Sequence, residues 1–384
     1  VSEQTAAGRH GPGVRGDCRA TVAAGDGAAT IAVDSRVAAL YGASIRSLAR
    51  ATLAALGAGD LSLRLEDSGA LPYVIAARIE AAVRRLRPHT TAEALPALNP
   101  ALRPGRSPLR RSRLYLPGNE PRYMINAGLH RPDAVVLDLE DSVPPGDKDA
   151  ALLLVRNALR AVDWGASQRT VRVNAGAAGL QEIRALLPHG VDAFVLPKVE
   201  HAATVEQAAA LLDGSAAVQL IPIVESARGV ANAHAIAAAS PLVAALAIGL
   251  EDYAADIGAE RKLAGSESLW ALGQVVNAAR AAGVEPLASV YSAIDDEAGL
   301  RSWLAGMRGL GFAGAACLHP RQIRAVHAAW TPSPDEVAAA QRIVDGWASA
   351  RAQGRAVVAV DGRMVDAPVV ERAQRVLVLA EASE

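Results

Sequence analysis

The chain has 384 residues, 39 basic against 40 acidic side chains and a formal net charge of −1; it is 51% hydrophobic and has two cysteines. That hydrophobicity and charge exclude a disordered chain, and the balance of charge gives no electrostatic reason to expect nucleic acid as a partner. Cys18 and Cys317 are too few and too far apart for a disulfide scaffold, so a reducing, cytoplasmic location is the expectation.

No apolar run approaches the ~20 residues of a membrane span. The longest, Leu242 to Leu250, has nine, so no membrane partner is expected. The N-terminal stretch VSEQTAAGRHGPG lacks the apolar core of a secretory signal. The length predicts about two domains.

In chain order, Cys18–Ala24 and Ala29–Asp34 alternate about Gly25-Asp26-Gly27 and read as a hairpin. Ser35 is placed to cap a helix running to Leu56, Leu61–Leu65 reads as a strand, and Leu71–Leu86 as a second helix. This predicts a small α+β domain over residues 1–92. Residues 93–110 form a linker, because the stretch 88–110 carries five prolines and little periodicity.

Beyond the linker, short apolar runs occur at Leu114–Leu116, Ala134–Leu139, Thr170–Val173 and Ala193–Leu196. Four more follow at Val218–Val224, Ala244–Ile248, Pro286–Val290 and Ala315–Leu318. Most are separated by stretches of helical period, as at Thr204–Leu212 and Leu269–Ala282. Continuous apolar strands alternating with helices make a parallel sheet covered on both sides. Eight of them fit a closed (β/α)8 TIM barrel over residues 111–330, with residues 331–384 as a C-terminal helical cover.

Chemistry in such barrels sits where strands end. Glu225 and Asp252 follow neighbouring predicted strands, so both carboxylates converge on one mouth. Two oxygen ligands completed by water and substrate suit Mg2+, and the same positions would also serve a rim salt bridge or two helix caps. No HxxxH or CxxC spacing points to zinc.

Arg172 enters that mouth, either as a plain ion pair or to neutralise an enolate. Lys198 in LPKVE raises a Schiff-base mechanism, but Glu140 and Glu200 would keep it protonated and favour an ion pair. Asp138, Glu140 and Asp141 form an acid cluster able to order water around a metal. His319 either contacts ligand or caps a helix. Tyr115 and Arg122 flank the loop LYLPGNEPR, an anion site unless Arg122 is simply solvated.

RSRLYLPGNEPR (111–122), VVLDLEDSVPPGDK (135–148), VRVN (171–174), FVLPKVE (194–200), IPIVESARGVANA (221–233), IGLEDYAADIG (248–258) and DGRMVDAPVVERA (361–373) resemble the citrate lyase beta subunit family. That is the branch of the HpcH/HpaI aldolase and malyl-CoA lyase group. The resemblance implies a Mg2+-dependent carbon–carbon lyase cleaving a short 3-hydroxyacyl thioester, citryl-CoA-like, to an acetyl thioester and a 2-ketoacid. It implies Glu225 and Asp252 as metal ligands, Arg172 at the substrate or enolate oxygen, and Tyr115 and Arg122 at the CoA-type moiety. Asp366 would be the acid/base, acting on a neighbouring subunit, which implies a homo-oligomer (dimer, trimer or hexamer). A thioester hydrolase on the same barrel and a non-catalytic scaffold subunit are the alternatives.

SRVAALYGASIRS (35–47) and LEDSGALPYVIAARIEAAVRR (65–85) resemble the citrate lyase acyl carrier protein. In that family a serine bearing the prosthetic arm precedes Gly-Asp, whereas here Arg15 precedes Gly16-Asp17. Arginine cannot form the phosphodiester, so the domain reads as a carrier that has lost its arm.

Overall fold

The structure, a computed structural model, describes residues 3–24, 30–98, 109–212, 217–262 and 265–382. The N-terminal domain contains β1 (Gln4–Gly8), β2 (Cys18–Ala24), β3 (Ile31–Ser35), α1 (Ala38–Ala55), β4 (Leu61–Asp67) and α2 (Pro72–Leu86). Its sheet has the order β1-β2-β4-β3. The expected hairpin of β2 with β3 is therefore wrong, and its turn, Gly25–Gly27, lies outside the described residues. Leu61, Leu63 and Leu65 of β4 are all buried on one face, so β4 takes the centre. The weakly buried β3 runs parallel to it at the edge, joined by the α1 crossover. Ser35 does not cap α1 in the expected way. It ends β3, donates to Asp67 at 2.6 Å and accepts the Val37 amide at 3.1 Å.

The barrel strands are β5 (Ser112–Pro117), β6 (Ala134–Asp138), β7 (Gln168–Arg172) and β8 (Ala193–Leu196). They continue with β9 (Gln219–Val224), β10 (Ala245–Ile248), β11 (Glu285–Val290) and β12 (Gly314–Cys317). All pairs are parallel, and β12 closes on β5. The intervening helices begin with α3 (Pro121–Met124), α4 (Lys148–Ala161), α5 (Gly176–Leu186), α6 (Ala202–Leu211) and α7 (Ala227–Ala231). They end with α8 (Ala233–Ala237), α9 (Leu250–Asp256), α10 (Leu269–Ala281), α11 (Glu297–Leu310) and α12 (Arg321–Trp330). A C-terminal unit follows, of α13 (Pro334–Ala352), the hairpin β13 (Val358–Val360) with β14 (Arg363–Val365), and α14 (Ala367–Glu381). Among the described residues no helix is long and apolar enough to cross a membrane.

Two cores follow from strand alternation. Val136, Val195, Ile221, Ile223 and Leu287 fill the barrel interior, while outward residues such as Leu137, Phe194 and Leu246 pack under the helices.

The N-terminal domain is docked, not tethered. Helix α2 buries a continuous run from Tyr73 to Val83, including Arg78 and Glu80, because it lies between its own sheet and α4 of the barrel. Glu80 receives both terminal nitrogens of Arg156 at 2.7 and 3.0 Å, and both side chains are buried. Arg78 grips Asp17 at 2.9 and 3.0 Å and donates to the carbonyl of Asn119, in the loop after β5. Of the expected linker, Ala94 is buried and its amide donates to Glu80 at 2.9 Å, whereas residues 99–108 lie outside the described set.

Glu80 holds two cations, Arg156 and, at 2.7 Å, Arg84. Arg156→Met removes the buried one with its two charge-assisted hydrogen bonds, and is expected to lower the unfolding free energy by about 2 kcal/mol in urea denaturation. Arg87→Ala, which breaks the exposed pair with Asp60, should cost under about 1 kcal/mol. Equal effects would refute the reading of α2 as a fixed joint.

Candidate active site

Strand register decides which groups meet at the mouth. Asp138 and Arg172 are the paired last residues of β6 and β7. Glu225 follows β9, and Asp252 lies in the first turn of α9, after the adjacent β10. Tyr115 projects inward from β5. Tyr115, Arg172, Glu225 and Asp252 line one cavity of about 190 Å3, together with the small residues Ala247, Gly249 and Ala288.

Arg172 is fixed on two sides. Its Nε and Nη2 donate to the carboxylate of Asp138 at 2.7 and 2.8 Å, and Nη1 lies 2.8 Å from Glu140. Its guanidinium also sits 5.4 Å from the centre of the Tyr115 ring. Burial works against its charge, but Asp138 and Glu140 outweigh it and hold the group protonated. Asp138 is correspondingly kept below the usual carboxylate range: burial opposes this, and Arg172 and two N–H donors prevail.

Lys198 bonds to Glu140 and, at 3.2 Å, to Asp141. Burial would lower its pKa, yet those carboxylates raise it, so the side chain is an ion-paired ammonium and not a Schiff-base amine. Its contribution to the site is its backbone. At φ 53° it occupies the left-handed region, and its amide donates to Glu225 Oε1 at 2.6 Å.

Glu225 is 5% exposed, and that amide is its hydrogen-bond donor. No cationic side chain lies within ion-pair distance of it among the described residues. Burial is the main cause of a pKa raised to about 7, with repulsion from Asp252 and Glu140 adding to it and Arg172 opposing. A Cβ at position 249 would stand 2.3 Å from Glu225 Oε2, so only glycine there leaves room for the carboxylate.

A buried carboxylate facing a second one, with oxygen donors only, fits a divalent cation of the Mg2+ kind. Among the described residues no group of three or more His, Cys, Asp or Glu side chains is placed to hold a metal. An ion between Glu225 and Asp252 would thus take the rest of its shell from water and substrate.

Three expected site residues lie elsewhere. His319 Nδ1 accepts the Arg321 amide at 3.1 Å, so it caps the start of α12 instead of lining the cavity. Arg122 is exposed, stacks on Tyr123 and pairs with Glu120, and it lines a separate small cavity with Arg9 and Arg15. Asp366 caps α14 through the Val369 amide and does not line the mouth of its own chain.

The residue missed from the sequence is Arg113. It lines the cavity from β5, two positions before Tyr115, and period-two alternation is the signal that would have found it.

Residues 111–320 match the HpcH/HpaI aldolase/citrate lyase family, and residues 8–86 match an acyl-carrier family described as malonate decarboxylase delta subunit. The citrate lyase subunit beta of Leuconostoc mesenteroides subsp. cremoris is 36% identical over 289 residues, spanning 72% of this chain and 94% of its own. A (3S)-malyl-CoA thioesterase of Cereibacter sphaeroides is 35% identical over 274 residues, 71% of this chain and 95% of its own. The structure of protein CitE from Mycobacterium tuberculosis in complex with magnesium, acetoacetate and coenzyme A superposes with a TM-score of 0.60. It has 32% identity and covers 72% of this chain and 99% of that one.

The raised pKa of Glu225 has a signed consequence in metal-free protein. A carboxyl whose folded pKa lies above its unfolded value of 4.5 stabilises the fold fully below pH 4.5 and ceases to do so as pH rises through about 7. With EDTA present, thermal stability should fall across that window, and Glu225→Gln should flatten the fall. An unchanged pH profile in the variant would show that Glu225 is not the group responsible.

Proposed function

The chain belongs to the HpcH/HpaI aldolase/citrate lyase family, and on that footing we propose that it is a Mg2+-dependent carbon–carbon lyase. Its substrate is a short 3-hydroxyacyl thioester of the citryl-CoA kind, and its products are an acetyl thioester and a 2-ketoacid such as oxaloacetate. The observation that carries this reading is the buried Glu225 carboxylate opposed to Asp252, with no cation beside it, in the cavity where Arg172 and Tyr115 converge. Such a relative is seen bound to magnesium and coenzyme A.

Glu225 and Asp252 would hold the Mg2+, which supplies a Lewis acid for the hydroxyl and carboxylate oxygens of the substrate. Arg172, oriented by Asp138 and Glu140, offers its remaining N–H groups to the thioester oxygen as the bond breaks and enolate charge develops there. Tyr115 takes the near part of the thioester arm in the cavity, and the exposed Arg122, on its own small cavity outside, takes the far part. Asp366 of a neighbouring subunit, as a carboxylate, takes the proton of the substrate hydroxyl as the C–C bond breaks and the ketone forms, and returns it to the enolate carbon, giving the acetyl product. Transfer in trans is the reading that accommodates an Asp366 remote from its own mouth, and it makes the enzyme a homo-oligomer. The cytoplasm is its natural compartment.

The docked N-terminal domain is a carrier that has lost its arm, because Arg15 stands where the arm would be attached. Intact mass of the purified protein should show no added prosthetic group.

A thioester hydrolase is the second reading, favoured by the likeness to the malyl-CoA thioesterase. The two differ in products: lyase action releases ketoacid and acetyl-CoA together, and hydrolysis releases free CoA. Turnover should stop with EDTA and return with Mg2+.

Asp252→Asn and Asp366→Asn should each reduce kcat by at least about 1,000-fold, the range lost when a positioned acid or charge stabiliser is removed. Asparagine keeps the helix cap at position 366, so loss there reports chemistry and not folding. Mixing the two inactive variants should restore part of the activity by pairing an intact mouth with an intact Asp366. No recovery in mixed oligomers would exclude transfer in trans.

A further inference from the structure

Five arginines are buried among the described residues: Arg78, Arg110, Arg113, Arg156 and Arg169. Four have a carboxylate, respectively Asp17, Glu285, Glu80 and Asp192 for Arg78, Arg110, Arg156 and Arg169. Arg113 has none. At 3% exposure it makes one hydrogen bond, from Nη2 to the carbonyl of Ala288 at 2.6 Å, and Nη1 has no partner. A buried cation lacking a counter-ion is costly unless something absent from the chain supplies one.

Position says what that is. On β5 the inward residues are Arg113 and Tyr115, with Arg113 one layer further from the mouth. The carboxylates Glu225 and Asp252 stand at the mouth, and all four groups border the same cavity. Beside Arg113 the wall of the cavity is built of the small residues Ala288 and Ala316. Resting on the lyase reading, a substrate has three arms at its hydroxyl-bearing carbon. The thioester arm must leave toward solvent, the 1-carboxylate and hydroxyl face the mouth carboxylates through the ion, and only the remaining substituent points down toward Arg113.

We infer that Arg113 is a specificity-determining residue that pairs with a second carboxylate on this substituent. The preferred substrate thus carries a carboxymethyl group there, not hydrogen or methyl, and its ketoacid product is a dicarboxylate. A guanidinium suits the task because its N–H pair matches a carboxylate. With hydrogen or methyl in that place the cation would stay buried and unpaired, which is how a polar site rejects an analogue lacking its partner group.

The test uses the full-length enzyme with Mg2+. Its kcat/KM should favour the carboxymethyl thioester over the methyl one by at least about 100-fold. Arg113→Met should reduce that ratio by a similar factor, and Arg113→Lys by less. A wild-type enzyme favouring the methyl thioester, or a methionine variant with the ratio unaltered, would overturn the inference.

Calorimetry with oxaloacetate and pyruvate gives a readout independent of turnover and of the variants. Tighter binding of oxaloacetate by the wild-type protein supports the carboxylate site, and equal binding of the two refutes it. If selective binding is found but no thioester is cleaved, it is the lyase reading that fails and the carboxylate site that stands.

Discussion

The mouth of the barrel is organised around a repulsion. Glu225 is buried, faces Asp252 and is denied a cation of its own, an arrangement that ordinary folding energetics disfavours. The chain maintains it with specific local features. Lys198 adopts a left-handed backbone conformation that aims its amide at Glu225, at a cost of about 1 kcal/mol or more for a residue with a Cβ. Gly249 removes the side chain that would displace the carboxylate. Asp138 and Glu140 hold Arg172, so this guanidinium, which lines the same cavity as Glu225, is kept paired elsewhere. On the proposed reading, this pair of carboxylates is what would hold a divalent ion.

The joint between the domains obeys the opposite rule. Glu80 and Arg156, and Arg78 and Asp17, are as deeply buried as Glu225, but each charge is met. Arg78 spans from Asp17 to the carbonyl of Asn119, so the segment Arg15–Asp17 is tied to the first loop of the barrel mouth. A carrier must swing to deliver its cargo, and this domain is pinned through α2 along α4. Under the proposed reading of Arg15, a domain with no arm gains nothing from movement, and docking through α2 suits a fixed wall.

The architecture was legible because barrel strands are buried on both faces and read as continuous apolar runs, ending in the polar residues that form the mouth. Glu225, Asp252 and Arg172 could be placed from those ends alone. What failed was non-local. The pairing of β2 with β4 and not β3 depends on which strand best buries its leucines, and the intervening turn carries no information about that. His319 follows its strand as Glu225 does, but its imidazole is occupied by the Arg321 amide, a contact set by the turn into α12 and not by strand position. Asp366 was visible through resemblance only, since nothing in the spacing of the C-terminal segment connects it to a barrel it does not reach within one chain.

Arg113 and Arg172 sharpen the point, because both are arginines of barrel strands that line the same cavity. Register separates them. Arg172 ends β7 beside the last residue of β6, which is an aspartate; Arg113 is level with Ala134. One therefore folds already neutralised and serves as a rigid donor, while the other folds with its charge uncancelled. With anionic groups at the mouth and a cation beneath them, the cavity has an electrostatic direction. A dianionic ketoacid can satisfy both ends, its α-carboxylate through the ion and its distal carboxylate at the guanidinium. Under the proposed reading the ion would offset the repulsion at the mouth and the ligand's distal carboxylate would offset the unpaired guanidinium, so the ligand favoured most is the one whose length matches the separation between them.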